Sequence, residues 1–210
     1  MNHLAHLVLA GPDEGLRLGA VLGDHVKGRL LPERWPAEWP LDWRRGIELH
    51  RFIDSRCDRH PAVQSLLGEL ESPWRRYGGI ILDVLFDHML DRHWDRFGPM
   101  PIEIFAAEVD GLLGRYRPLL PHRVQRFAVW ASARQLWRGY GNTGLLEEIF
   151  SLIAQRHARP SPLARGLEIL QHRDEQIEAV FFELFGDLSG QVAEWKRVRR
   201  DADQFNISSM

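Results

Sequence analysis

The chain reads as an all-α protein because apolar residues recur mainly at helical spacing, alternating β-branched runs are scarce, and proline and glycine punctuate the periodic stretches. Its 210 residues suffice for one domain with a substantial hydrophobic core. That domain is expected over residues 1–200 as a helical bundle, with the polar segment 201–210 as a flexible tail. After a short N-terminal segment, Pro12-Asp13 opens a helix predicted to reach Gly28, with Leu16, Leu18, Val21, Leu22 and Val26 as its apolar surface. Pro32, Pro36 and Pro40, interleaved with Trp35 and Trp39, form an irregular connection. A helix from Leu41 or Asp42 to Arg59 follows, carrying Trp43, Ile47, Phe52, Ile53 and Cys57 inward. His60-Pro61 starts another, and Ser72-Pro73 repeats the signal. Gly78-Gly79 precedes a central helix that Gly98-Pro99 and Pro101 end. Beyond it the pattern predicts helices at about 102–114, 122–139 and 144–157, then a long one over about 163–200, kinked around Gly186–Gly190.

Composition narrows the partners. A net charge of -2 and a pI near 6.6 give no global attraction to nucleic acid or to anionic membranes. Of 27 basic residues only Lys27 and Lys196 are lysines, leaving 25 arginines. Arginine forks suit phosphate and carboxylate recognition, although a GC-rich coding bias explains so general a preference better. The lone Cys57 excludes an intrachain disulfide and any multi-cysteine metal site. With no long apolar run, and no basic flank in Met1–His6, the expected location is the cytoplasm.

The central stretch, Gly79 to Trp94, is apolar nearly all the way round, the pattern of a buried helix, yet it contains Asp83, Asp87 and His88. Asp83 and Asp87 lie one turn apart on one face. Carboxylates in an apolar interior are unstable by several kcal/mol unless a cation, hydrogen-bond donors or protonation compensate them. A metal ion would do so; so would arginine partners for the two acids and a hydrogen bond to the histidine.

Other polar residues repeat this spacing. His50 and Asp54 are four apart beside Phe52 and Ile53, Asn2 and His6 are four apart at the start, and Asp24 stands near the end of its helix. Singly, each has an ordinary explanation as an ion pair, a cap or a core histidine. Together they offer nitrogen and oxygen ligands without thiolate, a set suited to manganese, magnesium, iron or zinc in an open catalytic site. Metal-assisted hydrolysis of a phosphate ester is the reaction class that follows.

Met1-Asn2-X-Leu4-Ala5-His6-Leu7, Asp24 before a basic residue and Gly28, Gly46-Ile47-X-Leu49-His50-Arg51-X-Ile53-Asp54, and Leu82-Asp83-Val84-X-X-Asp87-His88 through His93-Trp94 occur in this order. Together they resemble the acyl carrier protein phosphodiesterase family, in detail over roughly the first 100 residues. The resemblance implies a fold related to the HD-type metal-dependent phosphohydrolases, a divalent cation with Mn²⁺ favoured over Fe²⁺, Mg²⁺ or Zn²⁺, and holo acyl carrier protein as substrate. The family's reaction cleaves the phosphodiester between 4′-phosphopantetheine and the carrier protein's serine, leaving the apo form. Carried over by motif, the metal ligands are Asp24, His50, Asp54, Asp83, Asp87 and His88, with His6 joining them. Arg51 and Arg76 are the candidates for gripping the phosphodiester, Lys27 a weaker one, beside Asp87 and His88 in the catalytic set. Arg44, Arg45, Arg56, Arg59 and Arg75 are candidates for meeting an acidic carrier-protein surface. His3 and His25 depart from the family's pattern and read as tolerated changes, while His60 and His93 stand unranked as general acids. The competing readings are an HD-like phosphohydrolase of a small nucleotide or other phosphodiester, and a non-catalytic helical protein that binds carrier protein.

Overall fold

Apolar stripes at helical spacing must be buried, and among the described residues ten helices pack together to bury them. A computed structural model describes residues 1–31, 35–156 and 160–208; Pro32 of the expected proline-rich connection lies outside them. The helices are α1 (His3–Ala10), α2 (Glu14–Leu22), α3 (Leu41–Cys57), α4 (Pro61–Glu69), α5 (Gly78–Arg92), α6 (Trp94–Phe97), α7 (Ile102–Tyr116), α8 (His122–Ala133), α9 (Thr143–Gln155) and α10 (Leu167–Ser208). Among the described residues there is no strand, and no helix is long and apolar enough to cross a membrane. The all-α class is as the periodicity predicts.

Helix α5 is the predicted central helix, buried at every position from Val84 to Leu90. Helix α1 packs on one side of it and α10 on another, where Phe86 meets Phe181. Helices α2 and α3 make the closest pairing in the molecule. A methyl group on Gly19 would sit 2.4 Å from Gly46 Cα, and one on Gly46 would sit 2.6 Å from the Leu16 carbonyl oxygen. The two backbones therefore touch, and only glycine fits at either position.

Several boundaries differ from the pattern. Helix α1 falls where only a short segment was expected; its eight residues are too few to be stable alone, and its ends are completed by distant side chains. At its C-terminus the Lys196 ammonium donates to the carbonyls of Leu9 (2.6 Å) and Ala10 (2.7 Å). Helix α2 stops at Leu22 and not at Gly28, because the chain turns at Gly23-Asp24 and Gly28 takes a positive φ of 78°. No α-helix begins at Ser72-Pro73; a turn and a short 3₁₀ segment over Arg75–Tyr77 lead into α5. The predicted helix 122–139 breaks after Ala133, where Gln135 is left-handed, and a 3₁₀ turn over Leu136–Arg138 buries Leu136 and Trp137.

The expected kink at Gly186–Gly190 is absent; α10 is irregular at Arg173 (φ -138°, ψ 25°). Each glycine lowers helix stability by only about 1 kcal/mol, and burial of Leu184, Phe185, Leu188 and Val192 outweighs it. The Arg173 guanidinium instead reaches out to the Glu69 carboxylate and carbonyl at the end of α4, 3.1 Å from each. The backbone of α10 stays helical to Ser208.

Gly46→Ala should destabilise the protein by at least about 2 kcal/mol through overpacking between α2 and α3. Urea unfolding followed by circular dichroism reads the loss; a midpoint equal to wild type would contradict the close backbone contact.

Candidate metal centre and its adjoining cleft

Helix α3 carries His50 and Asp54 on one face, and α1 delivers His6 to the same point. His6 Nε2 lies 3.0 Å from Asp54 Oδ1, and His50 Nε2 lies 3.1 Å from Asp54 Oδ2. The imidazoles stack with centroids 3.9 Å apart and planes 16° apart. One ligand atom from each of His6, His50 and Asp54 falls within 4.8 Å of the others. Asp24, just after α2, joins from the rim, its Oδ1 3.7 Å from His50 Nε2 and its Oδ2 3.6 Å from His3 Nδ1.

The surroundings fix His50 in the orientation a ligand needs. Its Nδ1–H donates to the Ala20 carbonyl at 2.9 Å, which turns Nε2 toward the two aspartates. Gly23 makes the space, since a methyl group there would lie 2.2 Å from the His50 ring.

Electrostatics keeps the acids of the group ionised and one of its imidazoles charged. Burial opposes a charge on His50, but hydrogen bonds to Asp24 and Asp54 outweigh it and raise its pKa to about 9. Burial would raise the pKa of Asp54, yet hydrogen bonds from His50 and His6 hold it far below the ordinary carboxylate range. Asp24 is likewise depressed, against its own burial, chiefly by its hydrogen bond to His50 and by His3. Burial, helped by the neighbouring His50 charge, lowers His6 to about 4 and keeps its imidazole neutral. Two imidazole nitrogens and carboxylate oxygens, with no thiolate, fit a divalent ion.

Beyond Asp24 and His3 opens a cleft of about 590 Å³ between α8 and α9, lined by Asn2, His25, Arg123, Arg126 and Arg156 and by an apolar wall. Concave sites of roughly 300–1,000 Å³ with a few convergent polar groups are the usual form of small-ligand sites.

A match to the family described as acyl carrier protein phosphodiesterase spans residues 1–188. The chain belongs to that family. An acyl carrier protein phosphodiesterase of Serratia proteamaculans is 28% identical over 193 residues, covering 91% of this chain and 97% of the relative. The same-named protein of Pectobacterium atrosepticum is 29% identical over 189 residues, 88% of this chain and 94% of its own. One from Escherichia coli O139:H28 is 29% identical over 194 residues, 92% and 98%. No solved structure matches the chain.

Within this acyl carrier protein phosphodiesterase family member, the central-helix residues are held elsewhere. Asp87 is wholly buried; its Oδ2 accepts from Leu4 N–H at 2.7 Å and its Oδ1 from Ala5 N–H at 3.0 Å, so it caps α1 from α5. Burial raises its pKa to about 7 against those two bonds, and the buried Tyr140 hydroxyl also bonds to it. His88 Nδ1–H donates to the Tyr140 carbonyl at 2.8 Å. Asp83, half-exposed, pairs at 2.7 Å with the Met1 amino group, whose positive charge burial opposes most and Asp83, Cys57 and Asp54 together favour, so that its pKa is raised. None of the three joins the His6, His50 and Asp54 group.

Arg51 Nη2–H donates to the Val26 carbonyl at 2.8 Å, tying down the segment that carries Asp24. Arg76 stacks on Tyr77 and lines a separate recess with Glu69, Glu71 and Arg75, sharing no residue with the Asp24 cleft. His60 and His93 meet Asp187 and Glu178 on α10. Arg44 pairs with Glu48, Arg45 with Asp42, and Arg56 stacks on Phe52. His3 lies against Phe127, with ring centroids 4.6 Å apart. The sequence reading missed Gly23 and the arginines of the cleft. Their signal was a repeated spacing on α8 and α9 that has meaning only once those helices face each other.

Divalent-ion binding should displace the proton that His50 holds below pH 9, because a ligating imidazole must be neutral. At pH 7 about one proton should be released per Mn²⁺ bound, and affinity should rise about tenfold per pH unit until His50 titrates. Calorimetry in buffers of different ionisation enthalpy measures the release; a pH-independent affinity with no proton released would contradict the arrangement.

Proposed function

We propose that this protein hydrolyses the phosphodiester joining 4′-phosphopantetheine to the serine of holo acyl carrier protein, returning the apo form. The observation that carries the reading is the convergence of His6, His50 and Asp54 from two helices, at the end of a cleft lined with arginines. Family membership over residues 1–188 supports the substrate. On this reading the fold is kin to the HD-type metal-dependent phosphohydrolases, and Mn²⁺ is the favoured ion.

His6, His50 and Asp54 would hold that ion, with Asp24 completing the set from the rim. A divalent ion there supplies Lewis acidity toward a phosphoryl oxygen and toward the attacking water. The protein's own residues do the positioning. Ala20 orients His50, Asp87 anchors the helix that carries His6, and Arg51 steadies the Asp24 segment. In the reaction a water oxygen bonds to phosphorus while the bond from phosphorus to the serine Oγ breaks. The serine oxygen leaves with a proton, and phosphopantetheine leaves with the phosphate.

Purified protein with Mn²⁺ should remove the phosphopantetheine mass from holo carrier protein in a mass-spectrometric assay. His50→Ala and Asp54→Ala should each lose bound Mn²⁺ and at least about a hundredfold in kcat. Asp87→Ala should retain Mn²⁺ and instead lose about 2–4 kcal/mol of stability, because two helix N–H groups lose their acceptor. Substrate left intact with every divalent cation, while a verified family enzyme converts it, would end the assignment. Metal lost from Asp87→Ala that remains folded would return Asp87 to the ligand set.

A further inference from the structure

The cleft beside Asp24 has an arrangement that the metal group does not explain. Helix α8 contributes Arg123, Arg126, Phe127 and Trp130, which recur at three- and four-residue intervals and form one stripe. Helix α9 answers with Ile149, Leu152 and Ile153, continued by Arg156 just past its end. The helices run in opposite senses along the cleft: Trp130, toward the end of α8, reaches Glu148 midway along α9 at 3.4 Å, while Arg123 at the start of α8 and Arg156 just past α9 both act on His25. Arg123 and Arg156 therefore share the other end, by His25 next to Asp24. One end of the cleft is cationic and meets the candidate metal centre; the other is walled by Trp130, Leu136 and Ile149. None of the three arginines pairs with a carboxylate among the described residues, whereas Arg44, Arg92, Arg134 and Arg173 all do.

We infer that this cleft is the subsite for the phosphopantetheine arm, with Arg123 and Arg156 on the phosphoryl oxygens and the arm lying between α8 and α9 toward Trp130. The inference rests on the function proposed above and adds where the substrate lies. The arm is itself polarised: a phosphate at one end, then a dimethyl-bearing carbon, two amides and a thiol. Its anionic end matches the arginines and its less polar length matches the aromatic and aliphatic wall. Arginine forks bind phosphoryl oxygens through paired, charge-assisted hydrogen bonds. Arg126, further along the stripe, lies over the arm.

The test uses the full chain loaded with Mn²⁺ and two variants, the double substitution Arg123→Gln with Arg156→Gln, and Ile153→Trp, which fills the cleft. Calorimetric titration with free 4′-phosphopantetheine gives Kd, turnover of holo carrier protein gives KM and kcat, and elemental analysis gives bound metal. The double variant should weaken Kd and raise KM by roughly tenfold to a hundredfold with bound Mn²⁺ unchanged, and Ile153→Trp should do the same. Wild type that turns over holo carrier protein beside variants with unaltered Kd and KM would overturn the subsite and leave the function standing. Wild type that turns over nothing would remove both. Adenosine monophosphate bound as tightly as phosphopantetheine would show a phosphate site alone and overturn the placement of the arm. The arginine pair is exposed, so its substitution keeps the test valid should the tryptophan variant fail to fold.

Discussion

The bond that the site depends on is the one from Asp87 to the first turn of α1. A helix of eight residues leaves its leading N–H groups without partners, and Asn2 makes no side-chain cap to satisfy them. Asp87 accepts two of those N–H groups from the middle of α5, deep in the core. The positive end of the α1 dipole and the buried carboxylate compensate each other. Lys196 completes the opposite end, so α1 has an acid at its start and an ammonium at its finish, both from distant helices. His6 rides on that clamped helix, directly after the two residues that Asp87 holds, and so its imidazole meets Asp54 at 3.0 Å.

The second half of the group is set by backbone contact. Gly19 and Gly46 bring α2 against α3, which carries the Ala20 carbonyl to His50 and leaves Gly23 beside the imidazole ring. The side chains of the group thus stand on two supports, one electrostatic and one steric, and Arg51 fastens the Asp24 segment between them. Acids that burial alone would neutralise stay ionised at the point where two histidines face them. A cation bound there would take over the place of the His50 proton.

The buried character of α5 was legible because apolar residues on every face have no other home. His50 and Asp54 were legible as a pair because four residues on a helix return to the same face. The same rule grouped Asp83 with Asp87, and there local geometry said nothing of what each would meet: an N-terminal amine for one, helix N–H groups for the other. The glycines in the middle of α10 were misread for a related reason, since a local helix-breaking preference of about 1 kcal/mol yields to the burial of four large apolar side chains.

The sequence by itself determined the helical class, the identity of the buried central helix, the chemical kinds of ligand available and the family, because periodicity, composition and ordered motifs are local properties of the chain. Only the tertiary structure decided which acids face the His6 and His50 imidazoles and which cap a helix. It alone placed Arg123 and Arg156 at one end of a cleft, because a side chain's partners depend on helices that meet from far apart in the sequence.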